Sequence, residues 1–146
     1  MHFTDGIRWA AQAAEGSYDV IIVDSTDPVG PAAGLFSETF YRDCCRALGP
    51  HGVLVGQSES PLFHADLIRR MQAAMRAAGF AAAATVHFPQ CTYPSGWWSA
   101  TLAGKSGPPA GSIRREAARH KPFPTRYYNL DIHLAALALP EYLIKP

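Results

Sequence analysis

The sequence has no long apolar run, few cysteines and no block of like charges. No apolar stretch approaches the ~20 residues of a membrane-spanning helix, and the opening MHFTDGIRW lacks the apolar core of a secretory signal peptide. The three cysteines, two of them adjacent at Cys44 and Cys45, and the six scattered histidines give neither a disulfide framework nor a metal-binding spacing. A net charge of +1 gives no reason to expect nucleic acid or an acidic membrane surface as a partner. We therefore expect a cytoplasmic protein without a metal site.

What is present is an alternation of strand-like and helix-like segments. With 146 residues, 48% of them hydrophobic, the chain is long and apolar enough for one domain with a core. Apolar runs predict strands at residues 18–23, 52–57, 80–88 and 97–103. Apolar spacing, with caps such as Ser37 and Ser60-Pro61, predicts helices at residues 7–15, 37–48, 61–78, 112–120 and 132–139. This alternation favours a mainly parallel sheet with helices on both faces.

Residues 18–31, YDVIIVDSTDPVGP, are the most informative segment. The β-branched run VIIV has no polar alternation and predicts a strand buried on both faces. Asp24 and Asp27 follow it at once, and two prolines and a glycine then end the strand. Open α/β sheets bind their ligands at this end of their strands. Aspartates also serve as turn and cap residues, but two of them, with Ser25 and Thr26 between them, favour a functional site.

Residues 24–36, DSTDPVGPAAGLF, resemble the signature of the spermidine synthase family, the polyamine aminopropyltransferases. Three further segments resemble the same family in the same order: Asp5-Gly6, GQSESP at 56–61 and TYPSGWW at 92–98. The tail RYYNLDIHLAALALPEY, at 126–142, resembles the family's C-terminal end. The resemblance therefore covers nearly the whole chain.

The fold that this resemblance implies is α/β, with a Rossmann-like, class I methyltransferase-type sheet that ends in an antiparallel hairpin. Residues 1–104 would be the C-terminal part of the catalytic domain, and 105–146 a mobile linker and a helical tail that packs on it. Such a sheet opens with a strand and a glycine-rich turn that receives a nucleoside, and this sequence contains no such turn. We therefore expect an incomplete copy, without the first strands and the family's N-terminal β-domain, in which His2 and Phe3 end an outlying strand. The alternative is a complete chain with a smaller sheet.

The reaction that the resemblance implies is aminopropyl transfer from decarboxylated S-adenosylmethionine to putrescine, which gives spermidine and methylthioadenosine. Decarboxylated S-adenosylmethionine is a co-substrate, so no cofactor is expected. Asp24 would be the general base for the attacking amine. An alkylammonium group titrates near ~10.4 and an aspartic acid near ~3.9. Desolvation of the carboxylate and the charge of the neighbouring sulfonium therefore have to reduce the difference between these two pKa values. The family further implies a homo-oligomer, expected to be a dimer.

The resemblance also implies a diamine site made of Asp27, Gln57, Glu59 and Tyr93. Gln57 and Glu59 are two residues apart at a strand end, so they face the same side. Glu59 would hold an ammonium group directly or through water, although it could equally be a solvated loop acid. Tyr93 would place its ring and hydroxyl beside the diamine, although it could be an ordinary loop aromatic.

A nucleoside site is implied by the same match, at Asp5, Gly6, Ser25, Pro31, Ala32 and Leu35. The Asp5 carboxylate would accept a hydrogen bond from the adenine amino group, and Gly6 would let the ring approach closely. The apolar residues among the six would form a wall for the ring. Trp97 and Trp98 are assigned only to packing.

Two other readings remain open at this point. A small-molecule methyltransferase that uses S-adenosylmethionine would bind a similar nucleoside but would need no pair of carboxylates for a dication. A non-catalytic half-domain or partner subunit would explain the absence of a glycine-rich turn. Binding of putrescine distinguishes the first reading from the aminopropyltransferase, and complementation by the missing part tests the second.

Overall fold

The computed structural model describes residues 3–109 and 113–144, and its centre is a four-stranded mixed sheet in the order β1-β2-β4-β3. The strands are β1 Tyr18–Val23, β2 Leu48–Gln57, β3 Ala82–Pro89 and β4 Trp97–Gly104. Strand β1 is parallel to β2, while β4 is antiparallel to both β2 and β3. The predicted α/β sheet that ends in an antiparallel hairpin is therefore confirmed.

Short helices connect and cover these strands. The α-helices are α1 Gly6–Gln12, α2 Glu38–Ala47, α3 Ala65–Ala77, α4 Arg115–Arg119, α5 Leu130–Leu137 and α6 Glu141–Ile144. Two 3₁₀-helices lie at Gly30–Phe36 and Pro94–Gly96. Within residues 3–109 and 113–144, no helix has the length and apolar character needed to cross a membrane.

The core lies between one face of the sheet and helices α2 and α3. Phe40 and Cys44 on α2, four residues apart, and Met71 and Met75 on α3, also four apart, are buried together against Leu54 of β2. Each buried side chain of this size contributes roughly 1.5–3 kcal/mol relative to exposure. Residues four apart lie on one face of a helix. Burial raises the pKa of the Cys44 thiol to about 12, so this cysteine is a packing residue.

Helix starts and ends follow their caps. Ser37 caps α2 as predicted, because its Oγ accepts a hydrogen bond from the Phe40 amide at 3.2 Å. Ser60 does not start α3, since residues 61–63 form a turn and the helix begins only after His64. The Ser60 hydroxyl is instead bonded to Ser95 Oγ at 2.7 Å. The predicted start of α3 is therefore wrong by four residues, whereas its end at Ala77 lies one residue before the predicted end, and Gly79 follows with a left-handed φ of 105°.

Helix α1 is shorter than the predicted span of residues 7–15 and is attached to α2 by one side chain. The Arg46 guanidinium donates to the carbonyl oxygens of Ala10 at 3.0 Å, Ala11 at 3.1 Å and Ala13 at 2.5 Å. Because the last carbonyls of a helix have no partner within it, Arg46 acts as a cap supplied by another helix.

Strand β1 has the predicted bounds, but the prediction that it is buried on both faces is wrong. Ile21 faces the core and is 6% exposed, whereas Val20 is 54% and Ile22 72% exposed on the opposite face. Among the described residues, nothing packs closely enough against these two side chains to bury them. Strand β1 is also the edge of the described sheet, so its second hydrogen-bonding side carries no strand.

The strand predicted to end near Asp5 is not found among the described residues. Phe3 lies outside any strand and is 92% exposed, while His2 lies outside the described residues. Asp5 is instead the N-cap of α1, where its Oδ1 accepts a hydrogen bond from the Arg8 amide at 2.9 Å. Capping of this kind stabilises a helix by roughly 1 kcal/mol.

The segment predicted as a mobile linker is bonded to the sheet in its described part. The Lys105 amide donates to the Gly52 carbonyl at 3.1 Å, its Nζ donates to the Leu48 carbonyl at 2.5 Å, and Ser106 bonds to the Pro50 carbonyl. Residues 110–112, including the predicted start of the following helix, lie outside the described residues. The division into two units at residue 104 stays a prediction.

Candidate active site

A cleft of about 900 Å³ lies where β1 and β2 end, and we call it the main cleft. Because these two strands are parallel, their carboxyl ends meet at one edge of the sheet. The loop after β1 contributes Asp24 and Asp27, and the end of β2 contributes Gln57 and Glu59. The loop before β4 contributes Tyr93. The structure therefore brings together all five residues that the family resemblance assigns to the base and the diamine.

Glu59 is the most constrained of these residues. It is 4% exposed and adopts a left-handed φ of 66°, which costs a non-glycine residue on the order of 1 kcal/mol. Gln57 fixes it twice, because Gln57 Nε2 donates to Glu59 Oε1 at 3.1 Å and Gln57 Oε1 accepts from the Glu59 amide at 2.8 Å. Trp98 Nε1 donates to the same Gln57 oxygen at 3.0 Å. The carboxyl is therefore held in one orientation.

The charge of Glu59 depends on its neighbours. Burial raises the pKa of this carboxyl above its ordinary value, the hydrogen bond from Gln57 lowers it, the adjacent Asp27 carboxyl raises it, and His64 lowers it. Two adjacent carboxyl groups, one of them desolvated, repel each other when both are ionised. A cation placed between them removes that repulsion, so the electrostatics of the main cleft favour a positively charged ligand.

An aromatic wall faces the carboxyl groups. The Tyr93 and Trp98 rings lie 4.4 Å apart between centroids and are tilted by 31°. The loop that carries Tyr93 is attached to the β2–α3 connection by the Ser60–Ser95 hydrogen bond, and Ser95 has a left-handed φ of 72°. A wall of this kind suits an alkyl chain, and its ring faces also attract ammonium groups.

A second, apolar cleft of about 340 Å³ runs along the free edge of β1, and we call it the edge groove. Gly6, Ser25 and Leu35, three of the six residues predicted for the nucleoside, line it. The Ser25 hydroxyl is buried and has no hydrogen-bond partner among the described residues. Ile22 adds apolar surface to the same groove.

The other three predicted nucleoside residues lie outside the linings of these two clefts. Asp5 caps α1, which leaves its second carboxylate oxygen without a capping role. Pro31 and Ala32 lie in the 3₁₀-helix Gly30–Phe36, whose later residue Leu35 reaches the edge groove. The structure thus brings together half of the predicted nucleoside set.

The main cleft also contains residues that sequence reasoning missed. Trp98, for which the sequence predicts only packing, lines the cleft and donates to Gln57. Phe63 and His64 line it from the turn before α3. The one feature of the sequence that could have indicated them is the position of His64, five residues after Glu59. Phe88 lines it from β3, and no sequence pattern pointed to it.

Known proteins of one family resemble this chain in sequence and in structure. The family model for the spermine/spermidine synthase domain matches residues 1–111. The chain is similar to the polyamine aminopropyltransferase of Methylococcus capsulatus, with 61% identity over 140 residues, 96% of this chain and 48% of that protein. It is similar to that of Nitrosococcus oceani, with 57% identity over 142 residues, 97% of this chain and 49% of that protein.

Structural similarity points the same way. A crystal structure of spermidine synthase in complex with the transition-state analogue AdoDATO matches with a TM-score of 0.86 and 33% identity. The match covers 96% of this chain and 47% of that one. The chain therefore spans about half the length of the curated relatives and of the solved structure that it matches.

Proposed function

The chain belongs to the spermine/spermidine synthase domain family, and we propose that it carries the amine-binding side of an aminopropyltransferase site. The proposed reaction moves an aminopropyl group from decarboxylated S-adenosylmethionine to putrescine and yields spermidine and methylthioadenosine, a step of polyamine biosynthesis. One observation carries the proposal: Asp24, Asp27 and Glu59 line a single cleft beside the Tyr93 ring. Three carboxyl groups next to an aromatic wall match a diamine, which has two positive ends and an apolar middle.

The chemistry needs a free amine and a positioned base. A primary amine of putrescine attacks the propyl carbon that is bonded to the sulfonium sulfur. A nitrogen–carbon bond forms as the carbon–sulfur bond breaks, and the electron pair of the broken bond goes to sulfur, which leaves as the thioether of methylthioadenosine. We assign Asp24 as the base that accepts the proton of the attacking nitrogen, because it follows β1 directly and lines the main cleft.

The remaining acidic residues are assigned to binding. Asp27 and Glu59 would hold the ammonium groups of the diamine, and Gln57 keeps the Glu59 carboxyl oriented toward them. Tyr93 would lie along the alkyl chain. Hydrogen bonds to charged groups contribute roughly 1.5–3 kcal/mol each, so these contacts are sufficient to discriminate a diamine from a monoamine.

The proposed site for the aminopropyl donor, decarboxylated S-adenosylmethionine, is less complete in this chain. The edge groove would receive the nucleoside at Gly6, Ser25 and Leu35, with Asp5 bonded to the adenine amino group. Roles for Pro31 and Ala32 rest on the resemblance. Because the described residues leave β1 without a neighbour on this side, we expect the chain alone to bind a diamine but to transfer almost no aminopropyl group. A homodimer and a cytoplasmic location remain predictions.

Calorimetry with putrescine tests the proposal directly. At about pH 8 we expect putrescine to bind the 146-residue chain roughly 10–100-fold more tightly than n-butylamine, because the monoamine lacks one charge-assisted contact. Butane-1,4-diol, which has the same length and no charge, is the control and should not bind. Equal affinity for the amine and the diamine would contradict the assignment of Asp27 and Glu59.

The alternative functions predict different results in the same samples. A methyltransferase would show no preference for a diamine and would methylate an acceptor from S-adenosylmethionine. A non-catalytic half-domain would bind neither amine. Formation of spermidine from decarboxylated S-adenosylmethionine, assayed with and without the polypeptide that corresponds to the other half of the relatives, decides between an inactive and an incomplete enzyme.

A further inference from the structure

His64 lines the main cleft but has no role in the proposed reaction. Its Nδ1 lies 3.6 Å from Glu59 Oε2, and its side chain is 47% exposed while that of Glu59 is 5% exposed. The imidazole ring also stands edge-on to Phe63, with centroids 6.5 Å apart. An ionisable ring that solvent reaches is therefore in contact with a carboxyl that solvent does not reach.

The fold does not explain the imidazole. His64 is the N-cap residue of α3, but its side chain makes no capping hydrogen bond. The bonds that it contributes to the helix start are backbone bonds, from its amide to the Ser60 carbonyl at 2.8 Å and from the Ile68 amide to its carbonyl at 3.1 Å. Other residues could make the same two bonds, so a role for the ring has to be sought in the cleft.

The charges around His64 are mainly negative. Glu59 faces it from the loop after β2, and Asp27 approaches from the loop after β1 through its contact with Glu59. On α3 itself, Asp66 is already paired with Arg69 at 2.7 Å. Among the described residues that line the main cleft, His64 alone can carry a positive charge near neutral pH.

We propose that protonated His64 forms an ion pair with the Glu59 carboxylate when no diamine is bound, and that it competes with the ammonium group of the diamine for that carboxylate. This inference rests on the proposed function, because it takes Glu59 as a diamine ligand. Together, Glu59 and His64 bind a proton more tightly than Glu59 would alone, since each stabilises the charge on the other. The arriving ammonium displaces that proton into solvent. His64 is thus a positioning residue that links diamine affinity to pH.

This competition determines how the affinity for the diamine changes with pH. Below neutral pH the proton is held by the pair, and the diamine has to displace it, so binding is weak. As the pH rises, the lower proton concentration favours release of that proton, and binding of the diamine strengthens. The substrate itself keeps both charges until near ~10.4, so its own titration does not interfere.

Titration calorimetry with putrescine on the 146-residue chain, at about pH 6 and about pH 8.5, tests the proposal. For the wild-type chain we expect roughly tenfold weaker binding at the lower pH, with proton release detected by comparing buffers of different ionisation enthalpy. His64→Gln should bind roughly 3–10-fold more tightly than wild type near pH 6 and within about twofold near pH 8.5. Its proton release should fall. His51→Gln, an exposed histidine at the other end of β2, should behave as wild type.

Each other outcome overturns the inference in a recognisable way. If His64→Gln keeps the wild-type pH dependence and proton release, His64 does not compete, and the proposed function stands without it. If the variant binds putrescine more weakly at both pH values, the ring assists binding instead. If the wild-type chain binds no putrescine at either pH, the proposed function fails and the inference fails with it. Circular dichroism checks the fold, and His64→Asn replaces the glutamine variant if that one unfolds.

Discussion

The main cleft and the edge groove meet at Asp24 and Ser25, yet they are built to different degrees. In the main cleft the functional groups fix one another, since Gln57 orients Glu59 and is itself bonded by Trp98. The edge groove is apolar and shallow, and its Ser25 hydroxyl has no partner among the described residues. The difference teaches that the polar groups of the main cleft are held in place by one another, whereas the edge groove presents a hydroxyl that no described residue fixes.

The largest effect is expected from removing Asp24, the proposed base, which lines both clefts. In a preparation that forms spermidine, Asp24→Asn keeps the side-chain size and should lower kcat by roughly 10²–10⁴-fold, the usual range for loss of a general base. Steady-state rates at saturating putrescine measure it. Asp19→Asn, the same change on an exposed residue of β1, is the matched control. Near-normal turnover of Asp24→Asn would show that another group takes the proton.

The two faces of β1 provide the next test. Ile21→Ala should destabilise the chain by about 2–5 kcal/mol, because it leaves a cavity in the core. Ile22→Ala, one residue away and 72% exposed, should change stability by less than about 0.5 kcal/mol. Urea unfolding of the two variants measures the difference. Equal losses would mean that another part of the chain covers Ile22 in solution and that the edge groove is closed.

The smallest expected effect is a pH dependence of stability that originates in the main cleft. The folded state raises the pKa of Glu59, chiefly through burial, so its stabilising contribution is complete below its ordinary pKa near ~4.3 and is lost as the pH rises through the raised value. Glu59→Gln removes this dependence. Its stability relative to wild type should therefore increase between about pH 4 and about pH 8.

Chemical denaturation at several pH values measures this difference. Glu15→Gln, an exposed residue outside the cleft linings, is the control for a generic loss of charge. A difference between wild type and Glu59→Gln that is constant with pH would show that burial of Glu59 has no electrostatic cost. The main cleft would then not differ from the edge groove in the electrostatic cost of its buried groups.

The strand ends could be predicted because they depend on local sequence, whereas the proposed diamine residues are assigned by the family resemblance. The β-branched run of β1 stops at Asp24, and Gly79 ends α3 with the left-handed φ that glycine adopts easily. Since parallel strands place their carboxyl ends together, the loops after β1 and β2 had to converge. Topology therefore explains why Asp27, Gln57 and Glu59 line one cleft, while their proposed role comes from the family resemblance.

The remaining features depend on contacts between distant segments, which periodicity does not reveal. The exposure of Val20 and Ile22 reflects what lies beside β1, and their own sequence is that of a buried strand. Trp98 belongs to the cleft because its ring reaches Gln57 from another strand. The Ser60 Oγ accepts from the Leu62 amide and is bonded to Ser95, thirty-five residues later, in a turn that precedes the helix.

The attachment of α1 through Arg46 has a consequence for local unfolding. A helix of seven residues is not stable by itself in water, so α1 persists through its contacts with α2 and the bonds that Arg46 donates to its last carbonyls. Such a unit can open while the sheet stays intact, and its amide hydrogens should exchange at a lower free energy than those of β2. Because Gly6 on this helix lines the edge groove, a molecule bound there would slow that exchange, and the protection of α1 would report occupancy of the groove.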